Sequence, residues 1–153
     1  MPTLLPGRRA AVTAFAVALP LLAAAAPALP EPARGVLMAL FDPLCHQLPE
    51  RSFAVAGVAM ALCQRCFGVA AGVAGGAVLA PRLAPLVDPS GGRGLPALAL
   101  AALPMVADWA LHAAGLWVNS PASRFATGAA FGIVAGAILV LAAARPAVSA
   151  GGG

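Results

Sequence analysis

Apolar residues run almost unbroken along this chain, and the few charged positions cut them into lengths that suit a membrane. Residues 10–30 are uncharged between Arg9 and Glu31, residues 95–117 hold one formal charge, Asp108, and residues 125–144 hold none between Arg124 and Arg145. Each approaches the ~20 residues that a helix needs to cross the hydrocarbon core. A fourth run, 66–87, is shorter between Arg65 and Arg82 and reaches spanning length if both side chains snorkel to the interfaces. Between the first and second runs, residues 31–65 read as a loop. The stretch from Phe53 to Leu62 reads as a short excursion around Gly57, in preference to one long helix from Ser52 to Ala80. The pattern predicts an all-α integral membrane bundle of about four transmembrane helices, one domain over residues 1–146, with a disordered tail at 147–153.

Composition sharpens this reading. Hydrophobic residues make up 61% of the 153 residues and charged residues 9%, too little polar surface for a soluble globule. The +4 net charge is spread thinly, so no basic stripe exists to track a nucleic acid. No Gly-rich phosphate loop or alternation of strands and helices supports a soluble enzyme. The partner implied is the lipid bilayer.

Orientation rests on arginine placement. With the N-terminus inside, Arg8, Arg9, Arg82, Arg93 and Arg145 are cytoplasmic, and Arg34, Arg51, Arg65 and Arg124 lie outside. That makes a multi-pass protein of the inner membrane with both termini cytoplasmic and the 31–65 loop extracytoplasmic. Arg8-Arg9 and Ala26-Pro27-Ala28 also fit a cleaved secretory signal, which leaves the topology from residue 31 onward unchanged. Gly68, Gly72 and Gly76 recur every four residues, as do Gly128, Gly132 and Gly136, and such faces let helix backbones approach closely. These two helices, running in one direction, are expected to touch; alternatively the glycine faces join copies in a homo-oligomer.

The three cysteines and both histidines fall toward one side of this topology. Cys63-Gln-Arg-Cys66 at a helix mouth can share a metal or close a disulfide. With Cys45 and His46 the inventory becomes three sulfurs and one imidazole, a full tetrahedral set for zinc, although neighbours such as Cys45 and His46 bind one metal only around a sharp bend. A three-Cys set with an outside ligand is an equal alternative. The runner-up reading is a thiol-disulfide redox role for Cys45, Cys63 and Cys66 with a soluble redox partner, and a further alternative is a purely structural disulfide. In span number and in a Cys-x-x-Cys at a helix mouth, that redox role resembles four-helix disulfide-forming membrane enzymes, without their second cysteine pair. Asp108 sits within a span, where an unpaired charge costs about 3 kcal/mol, so it needs a partner. Arg124, across the turn at 118–122, is the expected one, and His112 lies one turn from Asp108 on the same face. Trp109 and Trp117 suit an interfacial belt.

At these residues the chain resembles a family of small bacterial and archaeal predicted membrane proteins of unknown function, known by Cys-His-Gln and Cys-x-Arg-Cys motifs. The matching residues are Cys45-His46-Gln47, Pro49, Arg51-Ser52-Phe53, Gly57, Cys63-Gln-Arg65-Cys66, Gly68 and Gly72. A second half follows in Pro104, Asp108, Ser120, Arg124, Thr127-Gly128 and Gly132. The likeness spans about residues 44–136. Trp109 stands where the family usually has Gly, and His112 where it has Gln. The resemblance implies an integral membrane protein and gathers Arg51, Ser52, Arg65, Asp108 and Arg124 into one polar cluster beside the cysteines; it implies no activity. The reading carried forward is a non-enzymatic membrane protein with an outer-face Cys/His zinc site.

Overall fold

The computed structural model describes residues 6–145, so the tail expected to be disordered lies outside the described residues. Four of its helices are long and apolar enough to cross a membrane, as the hydrophobic runs predicted. The first, α1 (Pro6–Ala25), contains Pro20 and tightens into a 3-10 turn at Ala26–Ala28. Pro30 then sets an extended entry to α2 (Glu31–Phe41), an eleven-residue helix within the segment expected to be a loop. Glu31 in its first turn favours the positive end of the helix dipole and pairs with Arg34. Helix α2 ends at Phe41; Asp42 keeps helical angles, but Pro43 has no N–H to continue the ladder, and the Leu44 and Cys45 N–H groups both turn to the Phe41 carbonyl.

A 3-10 turn at Pro49–Arg51 leads into an antiparallel hairpin of β1 (Ser52–Val55) and β2 (Val58–Cys63). The excursion around Gly57 is therefore a strand pair, a small sheet that the all-α expectation did not contain. Its two-residue turn puts Ala56 and Gly57 at φ 50° and 80°, the left-handed pair that matches hairpin twist. Gly57 takes this conformation freely and Ala56 is held in it by the Val55–Val58 pairing.

Helix α3 (Gln64–Val87) starts directly from the last strand residue, and α4 (Gly94–Ala113) and α5 (Pro121–Ala143) complete the bundle. Ser120 and Ser123 form a reciprocal capping box at the start of α5, with Pro121 in the first turn, so the helix begins four residues before the expected position. Helix α4 ends four residues before its expected end. Gly115, at φ 71°, reverses the chain, with its N–H on the His112 carbonyl and the Leu116 N–H on the Leu111 carbonyl.

Helices α3 and α5 run parallel and meet along their glycines. A Cβ on Gly72 would collide with the Ala129 carbonyl, and one on Gly132 with the Val69 carbonyl. The faces that sequence alone also offered to a second copy are filled within the chain. Helix α1 packs mainly on α3, and α4 on α5. Ala16, Ala77, Ala80, Ala137 and Val140 form one apolar core, at the end of the bundle where α3 and α5 finish. At the other end Ala23, Ala26, Leu37, Phe41, Cys45 and Leu62 form a second core beneath the hairpin and α2.

Candidate metal centre

The second core carries the cysteines. Cys45 follows α2, with its N–H on the Phe41 carbonyl; Cys63 is the residue that caps α3, and Cys66 lies in the first turn of that helix. The hairpin returns Cys63 opposite Ser52, so residues eighteen apart in sequence meet: the Cys63 N–H donates to Cys45 Sγ at 3.3 Å. The three sulfurs lie within 4.8 Å of one another. Tetrahedral zinc with Zn–S bonds of about 2.3 Å holds its sulfurs about 3.8 Å apart, so a small inward movement of the side chains completes the set. Cys45 is buried, Cys63 and Cys66 are half-buried, and none of the three is disulfide-bonded.

The Cys66 thiol, hydrogen-bonding to Cys63, is the strongest influence on that residue. With help from the Cys66 and Arg65 N–H groups and the Cys45 thiol, and against partial burial, it brings Cys63 down to about 5. The shift favours the thiolate, the form that binds metals.

His46 does not join the sulfurs. It is exposed, at the rim of a cavity of about 170 Å³ that also borders Cys45, Cys63, Cys66 and Arg51. Just after His46, Gln47 takes a left-handed backbone angle, φ 49°, and its amide donates to the Met38 carbonyl at 2.7 Å, which ties this loop back to α2. Arg51 makes no ion pair among the described residues. Ser52 is buried and structural, its hydroxyl donating to the Leu48 carbonyl at 3.0 Å.

The polar cluster is wired differently from the sequence expectation. Asp108 pairs with Arg65 at 2.5 Å, not with Arg124, and its other oxygen accepts the Trp117 indole N–H at 3.3 Å. Arg124 instead reaches Asn119 Oδ1 at 2.9 Å and Gln64 Oε1 at 3.1 Å. The cause is the close parallel packing of α3 on α5. Gly128 lies against the Arg65 carbonyl, which places Gln64 beside Arg124, one turn earlier on α5, while the Arg65 side chain turns to α4. Arg65 is thus held to α4 through Asp108. His112 is exposed and its Nδ1 contacts the Trp117 carbonyl at 3.1 Å, which helps hold the returning chain.

Gln64 and Asn119 were missed by sequence reasoning, and Trp117, read there as interfacial, is a partner of Asp108. Gln64 is almost fully buried, and its amide donates to the Ser52 carbonyl at 3.4 Å, so it joins hairpin, α3 and α5. The signal was present, since a polar amide at the head of a spanning helix needs a partner. Phe53, Phe67 and Phe125, with ring centroids 6.0–6.1 Å apart, pack the hairpin onto the same two helix heads.

Residues 45–138 match the family described as predicted membrane protein (DUF2085). The chain belongs to this family. The family match begins at Cys45 and takes in the hairpin, α3, α4 and most of α5, so the three cysteines and the glycine-packed helix pair all lie within it. A protein of Methanocaldococcus jannaschii, named as uncharacterized, is 37% identical over 95 residues, which are 60% of this chain and 58% of that relative. The chain therefore spans less than two thirds of that relative's length. No solved structure matches.

Proposed function

We propose that this member of the family is a non-enzymatic membrane protein whose three cysteines bind one zinc ion at the head of α3 and α5. The observation that supports this is the convergence of three sulfurs within 4.8 Å, brought from a helix end, a strand end and a helix first turn. Thiolate sets select soft or borderline ions, and three sulfurs with one further donor make a four-coordinate zinc site. The placement of Arg8, Arg9, Arg82, Arg93 and Arg145 at the end opposite the sulfurs supports an orientation with both termini cytoplasmic and the centre outside, in the inner membrane.

Elemental analysis of the purified full chain tests the metal. About one zinc per chain is expected, lost in Cys45→Ser, Cys63→Ser and Cys66→Ser alike and removed by chelator. Metal-free wild type that takes up no zinc on titration overturns the reading. Labelling of the cysteines by a membrane-impermeant maleimide in intact cells, after chelation, tests the orientation; labelling confined to permeabilised cells inverts it.

One observation favours a second reading. Cys63 and Cys66 sit three apart at a helix N-terminus with Cys45 beside them, the arrangement of an exchanging pair with a third thiol. Mixed disulfides with a soluble partner, trapped in Cys63→Ser or Cys66→Ser protein, would support redox exchange, whereas labelling that appears only after reductant, without trapping, would indicate a structural disulfide.

A further inference from the structure

Three sulfurs leave one position of a four-coordinate centre open, and the described residues place no fourth protein donor in the group. Among the described residues no other cysteine, histidine or carboxylate joins the cluster. His46, the nearest candidate in sequence, stands on the rim of the same cavity but outside the group of sulfurs. The side of the sulfurs left open faces a cavity of about 170 Å³, room for a handful of atoms. On the wall of that cavity stands Arg51, exposed and without an ion pair among the described residues. Arg65, the other arginine near the sulfurs, is committed to Asp108.

We infer that the centre is a ligand-binding site: its fourth position takes a small anionic donor from outside the chain, and Arg51 holds that donor by charge-assisted hydrogen bonds. This rests on the metal reading above. Zinc with three thiolates carries one net negative charge, so a cation beside the opening favours a further anion there, and Arg51 is the cation available at that place. A metal centre with three protein ligands and an exchangeable fourth position can bind and sense a ligand, in contrast to the closed four-ligand sites that only hold a fold together.

Cobalt substitution separates the two claims. In full-length protein loaded with Co²⁺ in detergent, the thiolate-to-cobalt charge-transfer band reports the three sulfurs and the visible ligand-field bands report the fourth donor. Azide is the anionic probe, with imidazole as the neutral control. Azide is expected to shift the ligand-field bands saturably while the charge-transfer band stays. Arg51→Ala should weaken azide about tenfold, with Arg51→Lys restoring most of the affinity and imidazole binding alike to all three. The intact charge-transfer band shows in each variant that the site has formed. Ligand-field bands that ignore azide but change in His46→Ala make His46 the fourth ligand and overturn the inference while the metal reading stands. An azide response unchanged in Arg51→Ala removes Arg51 from the site and overturns it as well. Absence of any charge-transfer band ends the metal reading, and the inference with it.

Discussion

The stem formed by α3 and α5 and the head built from α2, the hairpin and the cysteines solve the same packing problem by opposite means. Along the stem the two backbones approach until glycine alone fits, and dispersion between them supplies the adhesion, since lipid gives apolar helices no hydrophobic reason to associate. In the head the elements are short and are tied by a few directed bonds: Gln64 to Ser52 and Arg124, Gln47 to Met38, Cys63 to Cys45, and Arg65 to Asp108. The stem therefore tolerates no added volume, whereas the head tolerates volume but not the loss of a polar partner. The contrast suits a rigid platform that carries a chemically specialised cap.

The largest effect is expected where the contrast is broken in the stem. Gly72→Leu should remove the folded state, or lower its stability by more than about 3 kcal/mol, because the new side chain meets backbone that cannot move aside. Gly75, on the same helix with nothing within 4 Å of an added Cβ, should accept Ala with no loss, or with a gain of up to about 1 kcal/mol from helix propensity. Thermal unfolding in detergent compares the two, and equal losses would mean that the helices do not meet at their glycines.

A smaller effect tests the wiring of the head. Asp108→Ala should cost about 3 kcal/mol, because it leaves the Arg65 guanidinium, whose Nε is already buried without a partner, without its counter-ion. A double-mutant cycle should show coupling of about 1–3 kcal/mol between Arg65 and Asp108 and almost none between Arg124 and Asp108. Strong coupling to Arg124 would restore the hairpin pairing that the sequence suggested.

The smallest effect belongs to the far end of the stem, where Arg145, two residues past the end of α5, pairs with Asp88 just after α3. Both side chains reach solvent, so Arg145→Ala should move the unfolding midpoint less than either change above, and the difference should vanish in high salt. A large loss, insensitive to salt, would make this pair a structural lock and blur the distinction between the two ends.

The spans and the pairing of the glycine faces were legible because each depends on a local rule, a run of apolar residues or a four-residue repeat. Helix ends shifted where caps decided them: Ser120 and Ser123 began α5 early, and Gly115 ended α4 early enough to swing Trp117 back onto Asp108. The hairpin was visible only as a break at Gly57, since Phe53-Ala-Val-Ala and Val-Ala-Met-Ala alternate too weakly in polarity to declare strands. The cysteines were recognisable as chemistry from their spacing. The separation of His46 from them was not, because it depends on how the loop after α2 folds and not on spacing in the sequence.

By itself the sequence determined that this chain enters a membrane as four helices, that two of them can approach closely, and that three thiols cluster toward one end. Those properties are sums over many residues or strict local repeats, and no single contact can reverse them. The tertiary structure alone decided that Arg65 and not Arg124 meets Asp108, that Gln64 bridges three elements, and that Cys45 joins Cys63 and Cys66 while His46 stays outside. Such choices turn on ångström-scale differences in helix register, and that register was set by how closely α3 and α5 could approach across their glycines.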